Sequence, residues 1–189
     1  MNSAPTLRKL QLGIGKIALL PRRLRIIFSV PGWTHLGETD QEVVDGWTGK
    51  VVPWCWRRND QLLFADGEFD FIFSEHFLEH LWLDEAIFLM RECFRVMRRG
   101  ARMLILVPDA DLRPVPDELG YPARASWEEA GKHKTRWSYR SLPAIMEIAG
   151  IQTTLLRYYD SGGILHDRDG WPRNLVNRED SLIVGGVKP

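Results

Sequence analysis

Residues 62–109, "LLFADGEFDFIFSEHFLEHLWLDEAIFLMRECFRVMRRGARMLILVPD", decide the fold. An Asp66-Gly67 turn leads into Phe69 to Phe73, apolar or aromatic at every position except Asp70, as in a strand covered on both faces of a parallel sheet. From Asp84, a good N-cap residue, Ile87, Met90, Phe94 and Met97 recur at spacings of three and four. Arg98 and Arg99 then precede Gly100, which reads as a helix stop. The segment "ARMLILVPD", 101–109, follows as a second buried strand ended by Pro108. A strand, a helix-length crossover and a strand predict parallel, right-handed pairing.

Working outward, "KLQLGIGK" at 9–16 is an apolar alternation that runs into Gly13-Ile14-Gly15, as at a strand end where the backbone turns tightly. "RLRIIFSV" at 23–30 is expected as a second strand stopped by Pro31-Gly32, and "KVVPWCW" at 50–56 as a third, weakened by Pro53. Residues 109–137 are rich in Pro, Asp, Gly and Arg without a sustained period, the mark of a lid or substrate-side insertion. "SYRSLPAIMEIAGI" predicts a helix from Ser138 or Ser141 to Gly150, with Pro143 tolerable in the first turn. "IQTTLLRYY" and "DSLIVGGVKP" are late strands separated by a polar loop over 160–180. The order implies an open, mostly parallel α/β sheet with a C-terminal antiparallel pair, in one domain spanning 1–189.

Composition narrows the function. The chain has 189 residues, 44% apolar and 26% charged, the balance of an ordinary globule. Its 25 basic residues cancel 25 acidic ones, so no overall field favours nucleic acid or an anionic surface. Cys55 and Cys93 stand apart with no C-x-x-C partner, which points to a reducing, cytoplasmic setting and away from a thiolate zinc site. The basic and apolar N-terminus contains no run long enough to span a membrane and no small-residue cleavage pattern.

Inside the central block, "SEHFLEHL" at 74–81 spells H-x-x-E-H through His76, Glu79 and His80. On a continuous helix these side chains would share a face and could meet one metal, as in one class of zinc proteases. The motif directly follows a parallel strand, however, so His76 is expected in the loop, and no further ligand or protein-sized cleft is visible. Zinc hydrolysis is therefore the remotest reading, no metal is expected, and His80 and Glu79 are expected to bond locally.

In an open parallel sheet, ligands sit beyond the carboxyl ends of the strands, near the switch in strand order. The residues there are Gly13 and Gly15, then Glu38 or Asp40, then Ser74, Glu75 and His76, then Asp109 and Asp111. Glycines admit a cofactor to the backbone, and an acid after the second strand can accept hydrogen bonds from ribose hydroxyls.

Residues 62–109 also resemble the corresponding stretch of class I S-adenosylmethionine-dependent methyltransferases, in particular a small bacterial group. The likeness runs through Asp66, Phe69, Asp70, Leu78, Glu79, His80, Arg95, Val96, Gly100, Val107, Pro108 and Asp109. "KLQLGIGK" resembles that family's first cofactor loop, "PGW" at 31–33 a segment before its second acidic site, and "GKHKTRWSYRSL" at 131–142 a segment before its penultimate helix. The resemblance implies a Rossmann-like doubly wound sheet, S-adenosylmethionine as cofactor, and methyl transfer to oxygen or nitrogen.

Departures gather in the cofactor half. Gln11 stands where an acid usually precedes the first loop, Gly37 where the ribose-binding acid should fall, and Arg57 and Arg58 nearest the adenine-binding acid. Glu38, Asp40 and Asp60 are the nearby carboxylates able to substitute. Each lost charge-assisted hydrogen bond is worth roughly 1.5 to 3 kcal/mol, so a degenerate, non-catalytic binding domain is the alternative reading.

For catalysis, His133 is the candidate base, with Asp109 and Asp111 as alternatives, and Trp127, Trp137 and Tyr139 are candidate floors of an acceptor site. Neutral charge and a lid-sized segment fit a small-molecule acceptor better than nucleic acid.

Overall fold

The computed structural model describes residues 6–14, 22–37, 50–53, 61–111, 133–169 and 180–189. Eight strands form one sheet in the order β3-β2-β1-β4-β5-β8-β6-β7. They are β1 (Lys9–Ile14), β2 (Trp33–Gly37), β3 (Lys50–Pro53), β4 (Phe69–Glu75), β5 (Met97–Pro108), β6 (Gln152–Tyr159), β7 (Leu165–Asp167) and β8 (Ser181–Val187). The pairs β3–β2, β2–β1, β1–β4 and β4–β5 are parallel, whereas β8 is antiparallel to both β5 and β6, as the alternation of elements predicts.

The stretch 23–30 corrects the sequence reading. It forms helix α1 (Arg22–Phe28), not a strand. Strands β1 and β2 are parallel neighbours, so the chain between them must cross over rather than turn back in a hairpin. Leu24 and Phe28, four residues apart, bury one face of α1 against Trp33, Phe73, Leu104, Leu106 and Ile183, while Arg22, Arg25 and Ile26 stay exposed.

The opposite face of the sheet carries the larger core. Helix α2 (Leu83–Val96) buries Ala86, Leu89, Met90, Cys93 and Val96 there, and helix α3 (Ser141–Ile148) adds Leu142, Ile145 and Met146. The α2 boundaries differ from expectation at both ends. Trp82 is the N-cap rather than Asp84, and its N–H donates to Glu85 Oε2 at 2.8 Å. At the other end Met97 already begins β5, and Gly100, at φ 77°, is a left-handed residue within that strand's opening. Lys188 closes the helix end: its Nζ donates to the carbonyls of Phe94 and Met97 at 2.8 and 2.9 Å.

Two further elements position the site. The expected polar loop over 160–180 contains β7, three residues that pair with the end of β6 and are held by Arg157 Nη1 to Asp167 Oδ2 at 2.6 Å. Of the irregular stretch 109–137, only 109–111 and 133–137 are described. Its two ends lie side by side, with Asp109 bridging Trp137 and Ala110 N–H donating to the Trp137 carbonyl at 2.9 Å. Trp127 and the expected lid lie outside the described residues.

Candidate functional site

Strand order runs outward from β1 through β2 and β3 on one side, and through β4 and β5 on the other, so the switch point lies between β1 and β4. Leu12 of β1 pairs with Ser74 of β4 at the carboxyl edge of that seam. Gly13 follows at φ 67°, and a Cβ there would stand 2.2 Å from the Phe77 ring. The glycine is thus required both by the left-handed turn and by the close packing of Phe77. Ser74 is fully buried, and its hydroxyl has no hydrogen-bond partner among the described residues. A buried unmatched hydroxyl at a switch point is the polar group a ligand would satisfy. Glu75 ends β4 beside it. Gly15, Glu38, Asp40 and Asp60, the other expected cofactor residues, lie outside the described residues.

After β4 the chain bends. His76 adopts φ 50°, unusual for a residue other than glycine, and its N–H donates to the Leu106 carbonyl at 2.9 Å. A single 3-10 turn, Leu78–His80, follows, so H-x-x-E-H does not lie on a continuous α-helix, as the strand context predicts. The left-handed turn aims the His76 ring between two partners, with Nε2 3.0 Å from Ser181 Oγ and Nδ1 3.3 Å from Glu79 Oε1.

The same 3-10 turn receives the returning segment. Lys134 N–H and Thr135 N–H both donate to the Glu79 carbonyl, at 2.7 and 3.2 Å, and Thr135 Oγ1 donates to the Leu81 carbonyl at 2.5 Å. These bonds carry His133 to His80, ring centroids 5.0 Å apart and nearly perpendicular. Glu79, His80 and His133 each bring one ligand atom within 4.8 Å of the others. Glu79 is 2% exposed, and neither carboxylate oxygen makes a hydrogen bond among the described residues. Burial lowers the His133 pKa, against the opposing pull of the Glu79 carboxylate. The sequence supplied these residues as two separate signals, H-x-x-E-H and one histidine after an irregular stretch; only the backbone bonds to Glu79 join them.

Asp109, expected as an alternative base, is placed otherwise. It is 3% exposed, with Oδ1 accepting the Asp111 N–H at 3.0 Å and Oδ2 the Tyr159 N–H at 2.7 Å. That makes it a clamp between the end of β5 and β6, and Asp111 contributes its backbone to the clamp. Trp137 is buried at 1% exposure and anchors the returning chain, while Tyr139 stacks on Tyr158 at 5.1 Å.

A family model described as "Methyltransferase domain" matches residues 50–105. No curated protein matches the chain. Among solved structures, a SAM-dependent methyltransferase from Archaeoglobus fulgidus is 16% identical with a TM-score of 0.65, covering 96% of this chain and 86% of its own. A SAM-dependent methyltransferase, possible histamine N-methyltransferase, from Thermotoga maritima is 14% identical with a TM-score of 0.60, covering 98% and 84%. One from Methanosarcina mazei is 14% identical with a TM-score of 0.57, covering 96% and 92%. The chain therefore has the fold of these SAM-dependent methyltransferases, with the methyltransferase-domain match confined to residues 50–105.

Proposed function

We propose that this protein transfers the methyl group of S-adenosylmethionine to an oxygen or nitrogen of a small-molecule acceptor. The observation that carries the reading is the Gly13 turn and the unmatched Ser74 hydroxyl at the carboxyl edge of the β1–β4 seam, with the Glu79-His80-His133 cluster built on the 3-10 turn that follows β4. When bound, S-adenosylmethionine supplies a sulfonium methyl open to in-line displacement. The chain's own work is alignment and handling of a proton.

Gly13, Ser74 and Glu75 are assigned to the cofactor's side, with Gly15, Glu38, Asp40 and Asp60 as the remaining assignments from the sequence. Ser74 Oγ offers one donor and two acceptor lone pairs in a buried position. His133 is assigned to deprotonation of the acceptor, since an O–H or N–H acceptor must lose a proton as the new bond forms. Asp109 serves by holding the base of the 109–137 segment, and so the position of His133, rather than by proton transfer.

Isothermal calorimetry with S-adenosylmethionine and S-adenosylhomocysteine tests the reading first. Micromolar binding, weakened by Ser74→Ala, is expected; an acceptor screen for methylated product follows. No heat at about 1 mM cofactor, a binding energy under about 4 kcal/mol, would leave a non-catalytic binding domain as the better account.

A further inference from the structure

We propose that Glu79, His80 and His133 form a binding site for a divalent transition-metal cation, and that this cation holds the acceptor for methyl transfer. The inference deepens the function proposed above and rests on it only for the second clause. It also replaces the sequence expectation that no metal takes part, and with the metal bound His133 serves as a ligand in place of its role as base.

Three observations carry it. First, two imidazoles and one carboxylate, brought together from two separate segments, have their ligand atoms within 4.8 Å of one another. A cation bound at about 2.1 Å holds its ligands about 3.4 Å apart, so side-chain rotations of about 1 Å close the set. Second, Glu79 is a 98% buried carboxylate whose two oxygens make no hydrogen bond among the described residues; the His76 ring stands 3.3 Å from Oε1, and Oε2 is left for a cation. Third, His76 stands behind Glu79 at 3.3 Å and is itself fixed by Ser181 at 3.0 Å, the arrangement of outer-sphere groups that orient a metal ligand.

The donor set indicates the metal class. Two imidazoles with one carboxylate suit Zn2+, Co2+, Mn2+ or Fe2+, whereas Mg2+ and Ca2+ favour all-oxygen sites. Three protein ligands leave coordination positions open, as at catalytic rather than structural metals. This set differs from the H-x-x-E-H protease set, because His76 points to Ser181 and the third ligand is His133. In the reaction, an acceptor hydroxyl occupying an open position is acidified and loses its proton to water. Its oxygen lone pair forms the bond to the methyl carbon, and the carbon–sulfur pair returns to sulfur, giving S-adenosylhomocysteine.

Co2+ added to tag-free, metal-stripped protein is the test, followed by visible absorption and calorimetry, with S-adenosylmethionine titrated in parallel. One equivalent per chain with a visible absorption band is expected. His80→Ala and His133→Ala should each weaken Co2+ binding more than about 100-fold, and His76→Ala about 10- to 100-fold. His166→Ala, at a histidine paired with Asp160 instead, should leave it unchanged. Glu79→Gln keeps the side-chain shape and, checked for native circular dichroism, should also lose the metal. No binding at about 1 mM Co2+, or binding indifferent to these substitutions, overturns the site. Cofactor binding that persists in that event leaves the methyl-transfer reading standing, whereas Co2+ binding without cofactor binding sinks that reading and keeps the metal site.

Discussion

His35 shows what a single residue contributes that its letter does not announce. It lies in β2, fully buried, with the Phe28 ring 5.0 Å away, Trp33 stacked at 6.0 Å, and Nδ1 3.4 Å from Gln11 Oε1. Desolvation lowers its pKa from 6.5 to about 4. The unfolded chain therefore binds this proton first as pH falls, so the contribution to stability is complete above about pH 6.5 and is lost on descending to about pH 4. A shift of that size corresponds to about 3 kcal/mol. Urea titrations at pH 7 and pH 4 should lose that much more stability for the wild type than for His35→Gln. Equal losses in both proteins would show that other groups account for the acid sensitivity. In the sequence His35 was two residues beyond the "PGW" segment, with nothing to mark it as core. Gln11, conversely, stands where the resemblance implies a cofactor acid, whereas its amide donates to the Leu12 carbonyl at 2.8 Å and its carbonyl oxygen faces the His35 ring.

At the scale of elements, periodicity located the strands and helices of 62–109, but not what fastens them. Asp66 and Arg95 were both visible as matches to a family pattern, with no means of seeing that they touch. The Arg95 guanidinium spends all its donors on one turn: Nε and Nη2 reach Glu92 at 2.9 and 2.7 Å, Nη2 the Leu62 carbonyl at 2.9 Å, and Nη1 the Phe64 carbonyl and Asp66, each at 2.8 Å. The guanidinium holds the Glu92 carboxyl below its ordinary pKa against the effect of burial, and Glu92 also accepts the Leu62 N–H at 2.9 Å. Arg95→Lys keeps the charge but cannot supply the planar fork, so a loss of about 2 to 3 kcal/mol in urea unfolding is expected. A loss under about 0.5 kcal/mol would mean that the turn is held by its apolar contacts alone. Helix α1 illustrates the opposite failure. Ile26, Ile27 and Val30 have the β-branched character of a strand, but a seven-residue segment shows too few turns for helical period to outweigh it. Only the parallel pairing of β1 with β2, invisible locally, requires the crossover.

For the whole molecule, the mostly parallel sheet and its C-terminal antiparallel pair were legible because strand-helix-strand crossovers admit few topologies. The chemistry at that edge was less so. Ser74, Glu75 and His76 followed from lying at a strand end, whereas the meeting of Glu79, His80 and His133 depends on hydrogen bonds made across more than fifty residues of chain. Among the described residues, no helix is long and apolar enough to cross a membrane. The sheet must instead manage its own margins. On one side β3 is four residues long, begins with Lys50 and ends with Pro53, which has no N–H to offer a neighbouring strand. On the other side stands β7, three residues fastened to β6 by the Arg157–Asp167 pair. Beneath it β6 reads QTTLLRYY, eight residues rich in Thr, Leu and Tyr with one charge. Such a segment, once uncovered, is a template for addition of strands from other chains. The β7 strand is thus a guard whose value lies in colloidal stability rather than folding energy. Asp167→Ala should move the melting temperature little yet bring light scattering on sub-melting heating on earlier; scattering unchanged from wild type would mean that β6 needs no cover. The guard consists of three residues and the Arg157–Asp167 and His166–Asp160 pairs at the far rim of the sheet, well away from the seam where the protein's chemistry is proposed.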